Sequence, residues 1–168
     1  AFPQARFRLS PGATAQWKPR QQGALDLFSG SGRYAEALLE AGAPWVLTYD
    51  SKADPVGQDL LRPEVRQEVE SLLRSGAFLS VGAGPVCSSL STSITPPVRT
   101  SRWPAGVPWM RASMRERVRQ GNSFATWTAK LFRMCIALKV ECWVENTEPI
   151  CLWSMPSWRP IAALPQVR

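Results

Sequence analysis

The stretch GALDLFSGSGRYAEALLEAG, residues 23–42, predicts a strand, a glycine turn and a helix in succession. Its apolar start, Gly23 to Phe28, predicts a short strand. A Gly-Ser-Gly turn follows, and the apolar spacing from Tyr34 to Ala41 predicts a helix that ends at Gly42. A strand that leads through a glycine turn directly into a helix is the first half of a β-α-β unit.

Strands and helices continue to alternate on the carboxyl side of this unit. Further strands and helices are predicted, in chain order, at Trp45–Tyr49, Pro63–Ser75, Phe78–Val81, Ser123–Lys139 and Glu141–Val144. Asn122 is predicted to cap the long helix, residues 1–22 to form an irregular lead-in and residues 82–108 a long loop. The alternation predicts an α/β fold with a mainly parallel sheet and flanking helices, in which ligands bind beyond the carboxyl ends of the strands.

The composition is that of a basic globular protein. Lys and Arg outnumber Asp and Glu by 20 to 13, and the net charge of +7 favours nucleic acid over a membrane surface as partner. A basic protein without an anionic ligand is the alternative. The absence of histidine excludes Ser-His-Asp and Cys-His catalysis within the chain. The four cysteines form no C-x-x-C pair, so we expect no metal site, and free thiols in an intracellular, reducing compartment. No apolar stretch is long enough to span a bilayer, so no membrane partner is expected.

Glycines and acids at the ends of the first two strands predict a nucleoside cofactor site. Gly30 and Gly32 let the backbone approach a ligand closely, and Asp26 can bind a cationic group. Asp50 ends the second strand, where an acid suits the two hydroxyls of a ribose. The glycine spacing matches neither the dinucleotide fingerprint nor a Walker loop. A plain structural turn is the alternative.

Two later strand ends carry a nucleophilic and an acidic side chain. Cys87 follows a strand in the loop VGAGPVCSSLS, residues 81–91, where backbone donors and nearby arginines favour a thiolate. Glu145 directly follows the last strand, where a half-buried carboxyl can act as an acid. A small buried apolar cysteine and a solvated glutamate are the alternatives.

Arginine and tryptophan are interleaved between the cysteine loop and the long helix. The arginines singled out as nucleic-acid contacts are Arg99, Arg102, Arg111, Arg115 and Arg119, and Trp103 and Trp109 lie among them. Arginines contact phosphates and aromatic rings stack on bases, so this pattern is typical of nucleic-acid binding. A solvated basic face with the tryptophans packed inward is the alternative.

Taken in order, three of these stretches resemble the motifs of the DNA cytosine-5 methyltransferase family. DLFSGSG resembles the family's first motif, D-L-F-x-G-x-G, GPVCSSLS resembles its catalytic motif, G-P-P-C-Q-x-F-S, and VENT resembles its E-N-V motif. The similarity covers residues 23 to about 150. It implies a Rossmann-like methyltransferase sheet, S-adenosylmethionine as cofactor and methyl transfer to C5 of cytosine in DNA.

The resemblance also implies a role for each matched residue. Cys87 would be the nucleophile on cytosine C6, and Glu145 would hold or protonate the ring near N3. The family flips its target base out of the duplex for this reaction. The methionine side of the cofactor would be lined by Asp26, Phe28, Gly30 and Gly32. Asp50 would hold the ribose, and Asp59 would contact the adenine amine.

The chain also departs from the family pattern. Val86, Ser88 and Leu90 replace proline, glutamine and phenylalanine around the cysteine, and Thr147 replaces valine. An arginine motif and a target-recognition region are missing, so residues 23–168 are predicted to be a partial catalytic domain that a further region or subunit completes. RNA cytosine-5 methylation and a non-catalytic nucleic-acid- or cofactor-binding module are the alternatives. A DNA substrate predicts residence in the nucleus or nucleoid.

Overall fold

A mainly parallel sheet forms the centre of the computed structural model, which describes residues 7–9, 21–85, 89–90, 94–145 and 151–165. Within these residues the sheet has five strands: β1 (Phe7–Leu9), β2 (Gly23–Leu27), β3 (Trp45–Tyr49), β4 (Phe78–Ala83) and β5 (Glu141–Val144). Their order is β1-β3-β2-β4-β5; β1 pairs antiparallel with β3, and the other pairs are parallel. The predicted α/β fold with a mainly parallel sheet is confirmed.

Helices supply the crossovers that parallel strands require. They are α1 (Arg33–Glu40), α2 (Pro63–Arg74), α3 (Ala112–Leu138) and α4 (Arg159–Ala162). α1 links β2 to β3 and α2 links β3 to β4, as parallel pairing demands. The flanking helices are thereby confirmed, and α1 and α2 fall within one residue of their predicted bounds. The short β1 and α4 are not predicted from the sequence, because three or four residues carry no readable period.

The predicted start of the long helix is wrong. α3 begins at Ala112, so Asn122 lies inside the helix instead of capping it, and its Nδ2 donates to Ala105 O at 2.8 Å. Gly121 also lies inside α3, and packing explains the glycine at this position. A Cβ built there would lie 2.3 Å from Ser89 Oγ, so only glycine fits this close approach within the helix.

The chain divides into two compact units. Residues 1–84 and 134–144 form the first unit, which contains the sheet, and residues 85–133 and 145–168 form the second. The division passes through α3, whose last residues from Met134 onward belong to the first unit. The predicted boundary between a lead-in and a catalytic domain at residues 22 and 23 stays a prediction.

The core of the first unit sits on its two central strands. Every residue of β2 and β3 is buried, as expected for parallel strands covered on both faces. Ala24 and Val46 pack against Ala35 of α1, with Leu38 and Leu39 at the edge of the same cluster. The glycine turn is therefore anchored at both ends by buried structure.

The core of the second unit is aromatic. Trp158 is 1% exposed, its indole Nε1 donates to Ala125 O at 2.9 Å, and its ring meets Phe132 edge to face at 5.5 Å. Phe132 and Ala125 both lie on α3 and are buried. This tryptophan fixes the tail of the chain against the long helix.

Candidate functional site

The order of the strands reverses at β2. From β2 the chain crosses to β3 on one side, and from β3 it returns to β4 on the other side of β2. Such a reversal of strand order leaves a crevice beyond the carboxyl ends of the strands, where α/β proteins bind their ligands. The turn that follows β2 lies at this point.

The glycine turn has an unusual backbone. Phe28, Gly30 and Gly32 all have positive φ angles, of 61°, 54° and 77°. Glycine tolerates this region, whereas phenylalanine does not favour it, and such strain is concentrated at functional sites. A Cβ built on Gly30 would meet only Phe28 O, at 3.9 Å. The backbone at Gly30 therefore faces open space that a ligand can approach.

The carboxylate of Asp50 ties the end of β3 to this turn. Its Oδ2 accepts a hydrogen bond from Gly30 N at 2.8 Å, and its Oδ1 accepts one from Lys52 N at 2.8 Å. Asp50 N in turn donates to the side chain of Gln58 at 3.0 Å, and Gln58 is 2% exposed. The structure thus brings together Gly30 and Asp50, two of the residues predicted to bind a cofactor, and fixes both.

Asp26 lies below the turn rather than on its surface. It is 4% exposed and pairs in register with Thr48 of β3 and Gly82 of β4. Because side chains alternate along a strand, Asp26 points to the same face as Ala24, which packs against α1. Its carboxylate is therefore buried, and its predicted contact with the cofactor stays a prediction.

An aromatic pair that the sequence reading missed stands beside Asp26. Trp143 of β5 donates from Nε1 to Tyr34 Oη at 2.5 Å, and the rings meet edge to face at 4.4 Å. Burial raises the pKa of Tyr34, and the charge of Asp26 raises it further, while the bond from Trp143 opposes both. A Cβ on Gly82 would lie 2.5 Å from the Trp143 ring, so this glycine makes room for the indole.

Asp59, the predicted adenine contact, occupies the turn before α2. It is half-buried, and its Oδ1 accepts a hydrogen bond from Leu61 N at 2.9 Å. Leu60 beside it is buried, and Arg66 Nε donates to Leu60 O at 2.5 Å. These contacts fix the turn locally, and the adenine contact stays a prediction.

The two predicted catalytic residues differ in what the structure reveals. Cys87 lies outside the described residues. Glu145 is exposed, directly after β5. Two other cysteines are poor nucleophiles, because burial raises the pKa of Cys151, while a hydrogen bond with Cys142 and burial raise the pKa of Cys135.

Arg99 differs from the other arginines singled out as nucleic-acid contacts. It is 1% exposed, and its guanidinium donates to the side-chain or backbone oxygens of Ser89, Pro104, Val118 and Asn122. These bonds engage all the donors that a guanidinium has. Burial lowers the pKa of Arg99 to about 10, which leaves it charged at neutral pH. Arg99 therefore joins the cysteine loop, the following loop and α3 within its unit.

The remaining arginines of this segment reach the surface. Arg102 lies over the ring of Trp103 at 4.6 Å, and Arg119 forms a surface ion pair with Glu116 at 2.8 Å. Arg111 and Arg115 are also exposed. These are the side chains that a polyanion can reach.

Comparisons with known proteins leave the family open. Among the described residues, every helix falls short of the combined length and apolarity needed to cross a bilayer. No family model, curated protein or solved structure matches this chain.

Proposed function

We propose that this chain is a DNA cytosine-5 methyltransferase, with the S-adenosylmethionine site at the glycine turn. The observation that carries the proposal is the bond from Gly30 N to the Asp50 carboxylate at the reversal point of the sheet. It joins a close-approach glycine to an acid suited to a ribose, in the place where α/β proteins bind nucleotides.

The residues present fit this cofactor. Gly30 faces open space, and Phe28 and Gly32 shape the turn around it through their positive φ angles. Each oxygen of Asp50 accepts one backbone hydrogen bond and has a further lone pair that can accept a ribose hydroxyl. When bound, S-adenosylmethionine supplies an electrophilic methyl group. Asp26 lines the methionine side of the cofactor, and Asp59 contacts the adenine amine.

The chemistry belongs to Cys87 and Glu145. The Cys87 thiolate forms a bond to C6 of the flipped cytosine, and the electron pair of the C5–C6 double bond moves to C5. Glu145 holds the ring at N3 and provides the proton that stabilises the added charge. After C5 is methylated, its proton passes to water, the proton on N3 returns to Glu145, and the C6–S bond breaks, which restores the double bond and the thiolate.

The exposed arginines support nucleic acid as the substrate. Arg102, Arg111 and Arg115 are accessible on a chain with a net charge of +7. The substrate is DNA, and the site of action is the nucleus or nucleoid. An RNA substrate would react by the same thiol addition, so the test uses both a DNA and an RNA oligonucleotide.

The test is covalent trapping on an oligonucleotide that carries 5-fluorocytosine. Fluorine at C5 cannot leave as a proton, so the C6–S bond persists after methylation and a denaturing gel shows the adduct. Cys87→Ser should abolish the adduct. Cys151→Ser is the matched control and should keep it, because the Cys151 thiol is buried and its pKa is raised.

Calorimetry with S-adenosylmethionine on the folded chain accompanies the trapping. Binding together with a Cys87-dependent adduct on DNA supports the proposal in full. An adduct formed on RNA alone would move the activity to RNA. Absence of binding would refute the cofactor site, and an adduct that survives Cys87→Ser would refute the assigned nucleophile.

A further inference from the structure

The second unit contains a small apolar pocket among the arginines. Its volume is about 210 Å³, which is below the ~300–1,000 Å³ of pockets that hold drug-sized molecules. Its walls include Pro96, Pro97, Met110 and Met114, and Trp109 stands at its side. Rigid proline rings and flexible methionines form a slot of the size and polarity that suits one flat ring system.

Trp109 gives this pocket an exposed aromatic edge. The residue is 64% exposed, although tryptophan is usually largely buried. Its ring meets Trp103 edge to face at 4.8 Å, and Arg102 lies over Trp103 at 4.6 Å. The indole is thus held by an edge-to-face contact with Trp103 while much of it stays accessible, as in a platform on which bases stack.

The charge around the pocket selects the kind of ligand. Residues 94–120 include six arginines and one acid, Glu116. Arg99 is buried, but Arg111 lines the pocket itself and is exposed, and Arg115 is exposed on the first turns of α3. An apolar slot with Arg111 in its wall, and Arg115 four residues further along the chain, complements a ring attached to phosphates.

We infer that this pocket binds a single unpaired nucleobase of the nucleic acid, with the base against Trp109 and the adjoining phosphates near Arg111 and Arg115. The inference rests on the proposed nucleic-acid function and extends it, because it assigns a second base-binding position formed by the loop before α3. A base inside a duplex is stacked on both faces, so only a bulged, flipped or single-stranded base can enter.

The test compares two DNA duplexes that each contain one 2-aminopurine. This base is bulged in one duplex and paired in the other. Stacking on the indole quenches the fluorescence of this base, and titration gives the affinity for each duplex. We expect the bulged duplex to bind about 5- to 150-fold more tightly than the paired one, the range expected from stacking of one base. Trp109→Ala should remove this preference, and Trp109→Phe should retain most of it.

The controls separate the pocket from general binding. Leu79→Ala removes another exposed apolar side chain, 62% exposed on β4, and should leave the preference unchanged. Trp109→Ala should also leave S-adenosylmethionine binding unchanged, so a failure here is distinct from a failure of the cofactor site. Equal affinity for both duplexes in the wild type would overturn the inference. Displacement by an acidic peptide without any preference for the bulge would assign the pocket to a protein partner, and would overturn it too.

Discussion

Asp50→Ala tests whether the bridge between β3 and the glycine turn serves a ligand or only the fold. The substitution removes two hydrogen bonds from backbone N–H groups to a carboxylate, each 2.8 Å long. Bonds to charged groups contribute about 1.5–3 kcal/mol each. Asp50 is half-buried, and the freed N–H groups can reach water, so we expect a total loss of about 1–3 kcal/mol in the free energy of unfolding.

Asp54 provides a matched control in the same loop. It is also half-buried, and its Oδ1 accepts two backbone hydrogen bonds, from Val56 N at 3.0 Å and Gly57 N at 2.8 Å. Asp54→Ala should therefore cost a similar free energy of unfolding. The difference between the two acids lies in the bond of Asp50 to Gly30, which reaches 20 residues back along the chain to the glycine turn.

The two variants are compared by urea unfolding and by calorimetry with S-adenosylmethionine. Asp50→Ala should weaken cofactor binding by about 5- to 150-fold, which corresponds to 1–3 kcal/mol, whereas Asp54→Ala should leave binding within about twofold. Equal weakening by both would mean that Asp50 acts only through stability. Wild-type affinity in Asp50→Ala would refute the reasoning that this acid holds the ribose.

Three further predictions follow from the packing and charge of single residues. Arg99→Lys leaves three donors in place of five at a buried position, so we expect urea unfolding to show a loss of about 2–5 kcal/mol in the free energy of unfolding. Arg119→Ala, which removes an ion pair at the surface, should cost only about 0–1 kcal/mol. Gly82→Ala should force the Trp143 ring aside at a cost of about 1–3 kcal/mol and change the near-ultraviolet circular dichroism; an unchanged spectrum would contradict the contact. Replacing Arg115 and Arg119 together by alanine should flatten the slope of log affinity for DNA against log salt by about 2, and an unchanged slope would assign both to structure.

The elements whose patterns are local were predictable. β3 and β5 have the predicted bounds, and β4 runs only two residues beyond its predicted end. Pro63 marks the start of α2 because its fixed φ suits the first turn of a helix. Gly42 follows the end of α1 with φ of 98°, a conformation that glycine adopts readily. At these helix ends, one or two neighbouring residues are enough to predict the boundary.

The contacts that depend on distant residues were not predictable. Arg99 resembles the arginines around it in sequence, and its burial depends on acceptors from Ser89 to Asn122 that only the folded unit assembles. Tyr34 and Trp143 lie 109 residues apart, so neither signals the other. The same holds for Gly121 inside α3, because the Ser89 side chain that a Cβ there would meet comes from another loop.

The buried position of Arg99 separates it in role from the other arginines of the basic segment, residues 99–119. A pattern of arginines with tryptophans predicts a phosphate-binding surface, but one of its five singled-out arginines instead holds the scaffold. Its bonds to Ser89 O and Oγ reach the loop that contains Cys87 in the sequence, and its bonds to Val118 and Asn122 reach α3. Arg102, Arg111, Arg115 and Arg119 are left at the surface, and they are the ones whose replacement should change the salt dependence of binding. Arg99→Lys, by contrast, should lower stability and leave that slope unchanged in the fraction of molecules that remains folded.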